Sequence, residues 1–264
     1  MSITRNSGDR SRIALLIQYD GTDFNGWQIQ DRGRTVQGEI EKALKVLLKK
    51  DIRVIAAGRT DTGVHALGQV IHFDFSSDIS LQKLCISLNG ILDNDVKIKN
   101  AYLVPSDFHA RFSALGREYL YIIYNHPLKS PFDTKRAVWI SYDLDIDYLK
   151  RAAEHFIGEK DFASFCKKTS AEENTVRRIE EFDIIKFREF IIFRIRGNAF
   201  LHNMVRIIIG TILDLHKENV DPAYIKTILD QKNRDAGGKT APPYGLYLNQ
   251  IFYEPSLSEM ESAF

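Results

Sequence analysis

The chain has 264 residues, 44% hydrophobic and 27% charged, which lies within the range of soluble folded proteins and suits one large or two small domains. No apolar run approaches the roughly 20 residues needed to span a bilayer, and Met1 to Arg12 lacks the apolar stretch of a secretory signal, so a cytoplasmic protein is expected. The net charge of +1 requires local patches for any nucleic-acid partner, and the two cysteines, Cys85 and Cys166, lack zinc-site spacing and read as buried free thiols.

Arg12 to Asp20 is a strongly apolar run that predicts a buried strand, followed by the turn-rich segment Gly21 to Gly26 and a loop carrying Trp27. Behind Thr35, a helix N-cap, Val36, Ile40, Ala43, Leu44 and Leu47 recur at helical spacing. They predict a helix over Val36 to Lys49 that ends in basic residues, as the macrodipole favours. Strands over Arg53 to Ala57 and Gln69 to Phe75, a helix around Leu81 to Leu88 and a strand near Val96 to Leu103 complete the first half. The second half reads as a strand at Tyr119 to Tyr124, a helix at Asp147 to Phe156, strands at Phe182 to Phe187 and Phe190 to Arg196, a helix from Leu201 and a strand at Leu246 to Phe252. A helix near Pro222 to Leu229 is additional.

Each half thus has the order strand, helix, strand, strand, helix, strand. That order predicts an α+β protein of two ferredoxin-like (βαββαβ) halves, residues 1–106 and 107–264, forming an extended, mainly antiparallel sheet with helices on one face. The other face is left available, and a cleft between the halves is expected to hold the site. The halves share element order and no sequence identity.

Within the loop between the second and third strands, Asp61 is flanked by Arg59, Thr60, Thr62, Gly58 and Gly63. An aspartate is ionised at neutral pH, and a nearby guanidinium, from Arg59 or a distant arginine, keeps it so when desolvated, leaving a nucleophile or base. Two other readings of Thr-Asp-Thr-Gly stand beside this one. It can be a hairpin turn chosen for backbone preferences. It can also be the Asp-Thr-Gly signature of aspartic proteases, which need two carboxylates sharing a proton, although one such tripeptide occurs here.

The full segment Ala57-Gly58-Arg59-Thr60-Asp61-Thr62-Gly63-Val64-His65-Ala66 closely resembles the active-site motif of the tRNA pseudouridine synthase A family. The resemblance continues through Tyr19-Asp20-Gly21-Thr22, Gly26-Trp27-Gln28, Thr35-Val36-Gln37-Gly38, Phe108-His109-Ala110-Arg111-Phe112, Phe200 to Arg206, Thr240-Ala241-Pro242 and Gly245 to Leu248. It implies the pseudouridine synthase fold and isomerisation of uridines in the anticodon stem-loop of tRNA, by a homodimer without cofactor or metal. Asp61 then matches the catalytic nucleophile, Arg206 the arginine that pairs with it, Tyr119 the tyrosine that stacks on the target base, and Leu246 the residue beside that base.

On the predicted strand, Arg117, Tyr119 and Tyr121 alternate with Glu118, Leu120 and Ile122, so one face is expected to offer a guanidinium and aromatic rings to RNA. On the predicted helix His202, Arg206 and Gly210 share a face, and the glycine allows close backbone approach. Further RNA-contact candidates are Arg59, Arg111, Arg117, Lys167, Lys168, Arg177, Arg178, Arg194 and Arg196, expected to position phosphates. His65 and His202 are read as structural, and Gly237-Gly238-Lys239 as a flexible loop. The alternative from another class is a non-catalytic tRNA-binding protein of the same fold.

Overall fold

A computed structural model describes residues 11–75, 79–167 and 174–264. Contacts divide the chain into one unit of Met1–Leu115 with Asn249–Phe264 and a second of Gly116–Leu248. The sequence reading puts the division at 106/107 and leaves the C-terminal segment with the second half, whereas residues 107–115 and 249–264 pack with the first unit. Among the described residues no helix is long and apolar enough to cross a membrane.

In the first unit, β1 (Ser11–Tyr19) runs antiparallel between β3 (His65–Phe75) and β4 (Val96–Val104), with β11 (Glu261–Ser262) beyond β4 and the two-residue β2 (Ile55–Ala56) beside β3. Register and pleat place Ile13 with Phe73 and Leu15 with Ile71 on one face, and Arg12 with Asp74 and Ala14 with His72 on the other. α1 (Val36–Leu48) starts where Thr35 Oγ1 accepts the Gly38 N–H, and it buries Val36, Ile40, Ala43 and Leu44. It stops at Lys49, which adopts the left-handed conformation at φ 57°. α2 (Leu81–Ile91), capped by Ser80, buries Leu84, Cys85 and Leu88. Burial pushes the Cys85 thiol up to about 11, and both cysteines are buried thiols outside any disulfide.

In the second unit, β5 (Gly116–Asn125), β9 (Phe190–Gly197), β8 (Val176–Phe187) and β7 (Gly158–Asp161) form an antiparallel series in that order, and β6 (Val138–Ile140) adds to β5 in parallel. α3 (Ile146–Glu154) starts at Asp145, whose carboxylate accepts from the Asp147 and Tyr148 N–H groups. α4 (Met204–Lys217) is buried at Met204, Val205, Ile208, Ile209 and Ile212, and α5 (Tyr224–Gln231) follows. Phe156, Phe162, Phe165, Phe182 and Phe193 fill the core, with Phe156 and Phe165 edge-to-face at 5.1 Å. β10 (Leu246–Phe252) begins in this unit and ends in the first.

The α+β class and mainly antiparallel pairing are those expected, with three differences. β6 and β7 are too short for a period-2 pattern to be read. β2 is two residues where Arg53 to Ala57 is expected, because the Val54 N–H is taken by Glu41 Oε1 at 3.1 Å instead of a ladder partner. The available face is also covered at β3: the Phe108–Phe112 turn lies over His72, whose Nδ1 accepts the Ala110 N–H at 3.1 Å. With the opposite face packed in the core, that strand is buried from Gly68 to Phe73.

Candidate active site

Asp61 lies in the β2–β3 loop and is half-buried, while its neighbours Thr60 and Val64 are buried. Thr60 is held three ways: its hydroxyl is 2.8 Å from the Tyr19 hydroxyl, its carbonyl accepts the Trp27 N–H at 3.0 Å, and that carbonyl lies 2.8 Å from where a Cβ on Gly26 would sit. Gly26 has φ +80°, so a side chain there would meet both strain and the loop. On the far side the Val64 N–H donates to Asp61 O at 3.1 Å, and the Val64 carbonyl leaves no room for a Cβ at Gly21, which would approach to 2.0 Å. Gln69, buried in β3, closes the entry by donating to Gly58 O at 2.7 Å and accepting the Gly58 N–H at 3.3 Å.

Tyr19, Gly21, Gly26, Trp27 and Gln69 therefore form a cradle for the Asp61 loop. His65 belongs to it: the Gly21 N–H donates to its Nδ1 at 3.0 Å. Asp20 Oδ1 also lies 3.2 Å from that nitrogen, but a backbone N–H can only donate, so Nδ1 is the acceptor and the ring is neutral. The Gly21–Arg34 segment is anchored in turn by Arg34, which pairs with Asp95 and with Asp93 at 3.0 Å and lies 4.4 Å over the Phe24 ring. The buried Gln37 N–H donates to Trp27 O at 3.0 Å, fixing the same segment to α1. Arg59 is exposed beside this loop.

In the second unit Arg206 occupies the first turn of α4, off its core stripe and half-buried. Nε donates to Ala241 O at 2.8 Å and Nη1 to Asn203 Oδ1 at 3.0 Å, while Arg206 O accepts the Ala241 N–H at 3.0 Å. Gly210, one turn on, lets Lys239 O approach to 1.7 Å of its absent Cβ, which is the close backbone approach expected. The loop before Ala241 is pinned, contrary to the expected flexibility: the Gly238 N–H donates to Thr211 Oγ1 at 2.8 Å and the Lys239 N–H to Asp214 Oδ2 at 2.9 Å. Gly238 serves contact with α4, and Gly237 with the Ser164 carbonyl.

Tyr119 is half-exposed on β5, with its ring edge-to-face to Phe200 at 5.1 Å. Tyr121 departs from the expected RNA face: it is fully buried and donates to Pro242 O at 3.0 Å, and burial pushes its phenol up despite the nearby Arg206 charge. Gly245, preceding the buried Leu246, packs its backbone against the Tyr121 ring. Arg206, Pro242 and Gly245 thus lie close to Tyr121 within one unit, with Ala241 and Leu246 next to them in the chain. Asp61, Arg59 and Arg111 belong to the other unit.

The basic candidates divide by their partners. Arg194 is paired with Asp183 at 2.5 Å, Glu181 at 3.5 Å and Glu118 at 3.9 Å, and Asp183 above all raises its guanidinium further. Arg196 pairs with Glu180 at 3.1 Å and Glu181 at 3.4 Å. Arg117 donates to Asn198 O at 2.9 Å and Arg177 to Val176 O at 2.7 Å. Arg178 and Lys167 are exposed, and Lys168 lies outside the described residues.

A family described as tRNA pseudouridine synthase matches residues 15–113 and 152–254 of the chain, which takes in the cradle, Asp61, Arg206 and Leu246. The tRNA pseudouridine synthase A of Bacillus subtilis (strain 168) is 44% identical over 92% of this chain and 99% of its own length. That of Leptospira biflexa (strain Patoc 1 / Ames) is 45% identical over 94% of this chain and 96% of its own. The chain belongs to the tRNA pseudouridine synthase A family and is an enzyme of the isomerase class.

Proposed function

We propose that the protein isomerises uridines in the anticodon stem-loop of tRNA to pseudouridine, with Asp61 as nucleophile. The reaction breaks the bond from uracil N1 to the ribose and forms one from C5, with the C5 proton released and N1 protonated. Atoms and electrons balance within the nucleotide, so neither cofactor nor metal is required. Asp61 adds to the base or the ribose while the uracil turns, and Arg206 serves as its countercharge. Tyr119 stacks on the uracil taken out of its helix, and Leu246 lies beside it. The enzyme works in the cytoplasm as a homodimer.

The observation that carries this reading is the cradle. Thr60 and Val64, on either side of the Asp61–Val64 turn, are buried and held by hydrogen bonds, while Asp61 itself is half-buried, so the carboxylate is carried on a braced turn as a preorganised nucleophile requires. Tritium release from tRNA labelled at uridine C5 tests it. Wild type should release label and Asp61→Ala should release none while still binding tRNA. Equal release by both proteins would remove Asp61 from the mechanism, and tRNA binding without release by wild type would leave a binding protein of the same fold.

A further inference from the structure

The Phe108–Phe112 turn of the first unit is fixed from below and open above. Beneath it, His72 accepts the Ala110 N–H, the Tyr253 hydroxyl donates to Ala110 O at 2.7 Å, and Arg12 Nη1 donates to Phe108 O at 2.8 Å. The turn is also closed on itself. The His109 N–H donates to Ser113 Oγ at 2.9 Å, and His109 Nδ1 accepts the N–H groups of Arg111 and Phe112 at 3.2 Å each. Above this base the Phe112 ring is 77% exposed and lies against the His109 ring at 4.4 Å and 31°, with the Arg111 guanidinium 5.7 Å from its centre.

A large aromatic held in water gains nothing from burial, yet here its backbone and its stacking neighbour are already ordered, so a ligand meets little further loss of freedom. A flat π surface beside a cation is the combination that takes an unpaired nucleobase and its phosphate. The polar His109 and Arg111 around a single ring argue against a contact between protein copies, which needs a broader apolar patch. Resting on the proposed tRNA substrate, we infer that Phe112, backed by His109 and flanked by Arg111, is a stacking platform for an unpaired base of the tRNA.

Anisotropy titration with labelled, unmodified tRNA at several salt concentrations tests the platform in the full chain. Phe112→Ala should bind about tenfold more weakly with an unchanged salt slope, because stacking releases no counterions. Its melting temperature should equal that of wild type, since the ring is exposed. Phe112→Trp should bind as wild type does, and its added indole emission should be quenched by tRNA. Unchanged affinity of Phe112→Ala, or indole emission indifferent to saturating tRNA, would overturn the inference. So would a shift in the sedimentation of Phe112→Ala alone, which would make the ring a contact between copies. Wild type that converts uridine while these variants behave normally would sink only the platform, whereas wild type that neither binds nor converts tRNA would sink the function itself.

Discussion

His72 offers a quantitative check on the packing of the first unit. Burial first, then the charges of His109 and Arg12, lower its pKa from 6.5 to about 4, and the neutral ring accepts the Ala110 N–H while hydrogen-bonding the Ile55 backbone. The folded value lies below the unfolded one, so the stabilisation is fully present above pH 6.5 and is lost as pH falls toward 4. At about 1.4 kcal/mol per unit, roughly 2 kcal/mol should disappear by about pH 5 and roughly 3 by pH 4. His72→Asn keeps an acceptor for Ala110 but cannot titrate, and at neutral pH it should be about 1–2 kcal/mol less stable than wild type for its lost packing and Ile55 bond. Urea unfolding, followed by Trp27 in a Trp139→Phe background so that fluorescence reports the first unit, should show the two proteins converging as the pH is lowered. Curves that stay parallel from neutral pH to about pH 5 would refute a neutral, buried His72.

Arg206→Ala should lose turnover by at least about a hundredfold, since it removes the proposed countercharge and the anchor of Ala241, and Arg206→Lys should restore little because a lysine cannot serve two acceptors in fixed directions. Single-turnover kinetics checks both. Gly21→Ala should destabilise the first unit by about 2–4 kcal/mol in urea, its methyl displacing Val64 and with it the Asp61 loop. Arg178→Ala should lower the salt slope of tRNA binding by about one, while Arg194→Ala, whose charge is already met by Asp183, Glu181 and Glu118, should leave it nearly unchanged.

What the sequence made legible follows from the physics of each element. α1 is readable because a capping Thr35 and a 3.6-residue apolar stripe act locally, β1 because its apolar run is continuous, and β5 because its residues alternate. Tyr121 was misread because alternation assigns a face without saying what covers it: Pro242, distant in sequence, receives its hydroxyl. Gly237 and Gly238 looked like freedom because glycine spacing cannot distinguish a mobile loop from backbone pressed against a helix. For Asp61 the local residues fitted a turn equally well. Residues 61–64 do form a turn, and the contacts that brace it, Tyr19 reaching Thr60 across 41 positions and Gly21 under Val64, exist only in the fold.

The last segment of the chain closes the first unit: Tyr253 bonds Ala110, and Asn249 O lies where a Cβ of Gly68 would stand. During synthesis these residues leave the ribosome after the whole of Gly116–Leu248 has been made. Until then β3 lacks the Asn249 backbone beside Gly68, and the Phe108–Phe112 turn lacks the Tyr253 bond beneath Ala110. A chain cut short between β3 and residue 249 would keep Tyr19, Gly21, Trp27, His65 and Gln69, which brace the Asp61 loop, and lose the bond beneath Ala110 and the backbone contact at Gly68.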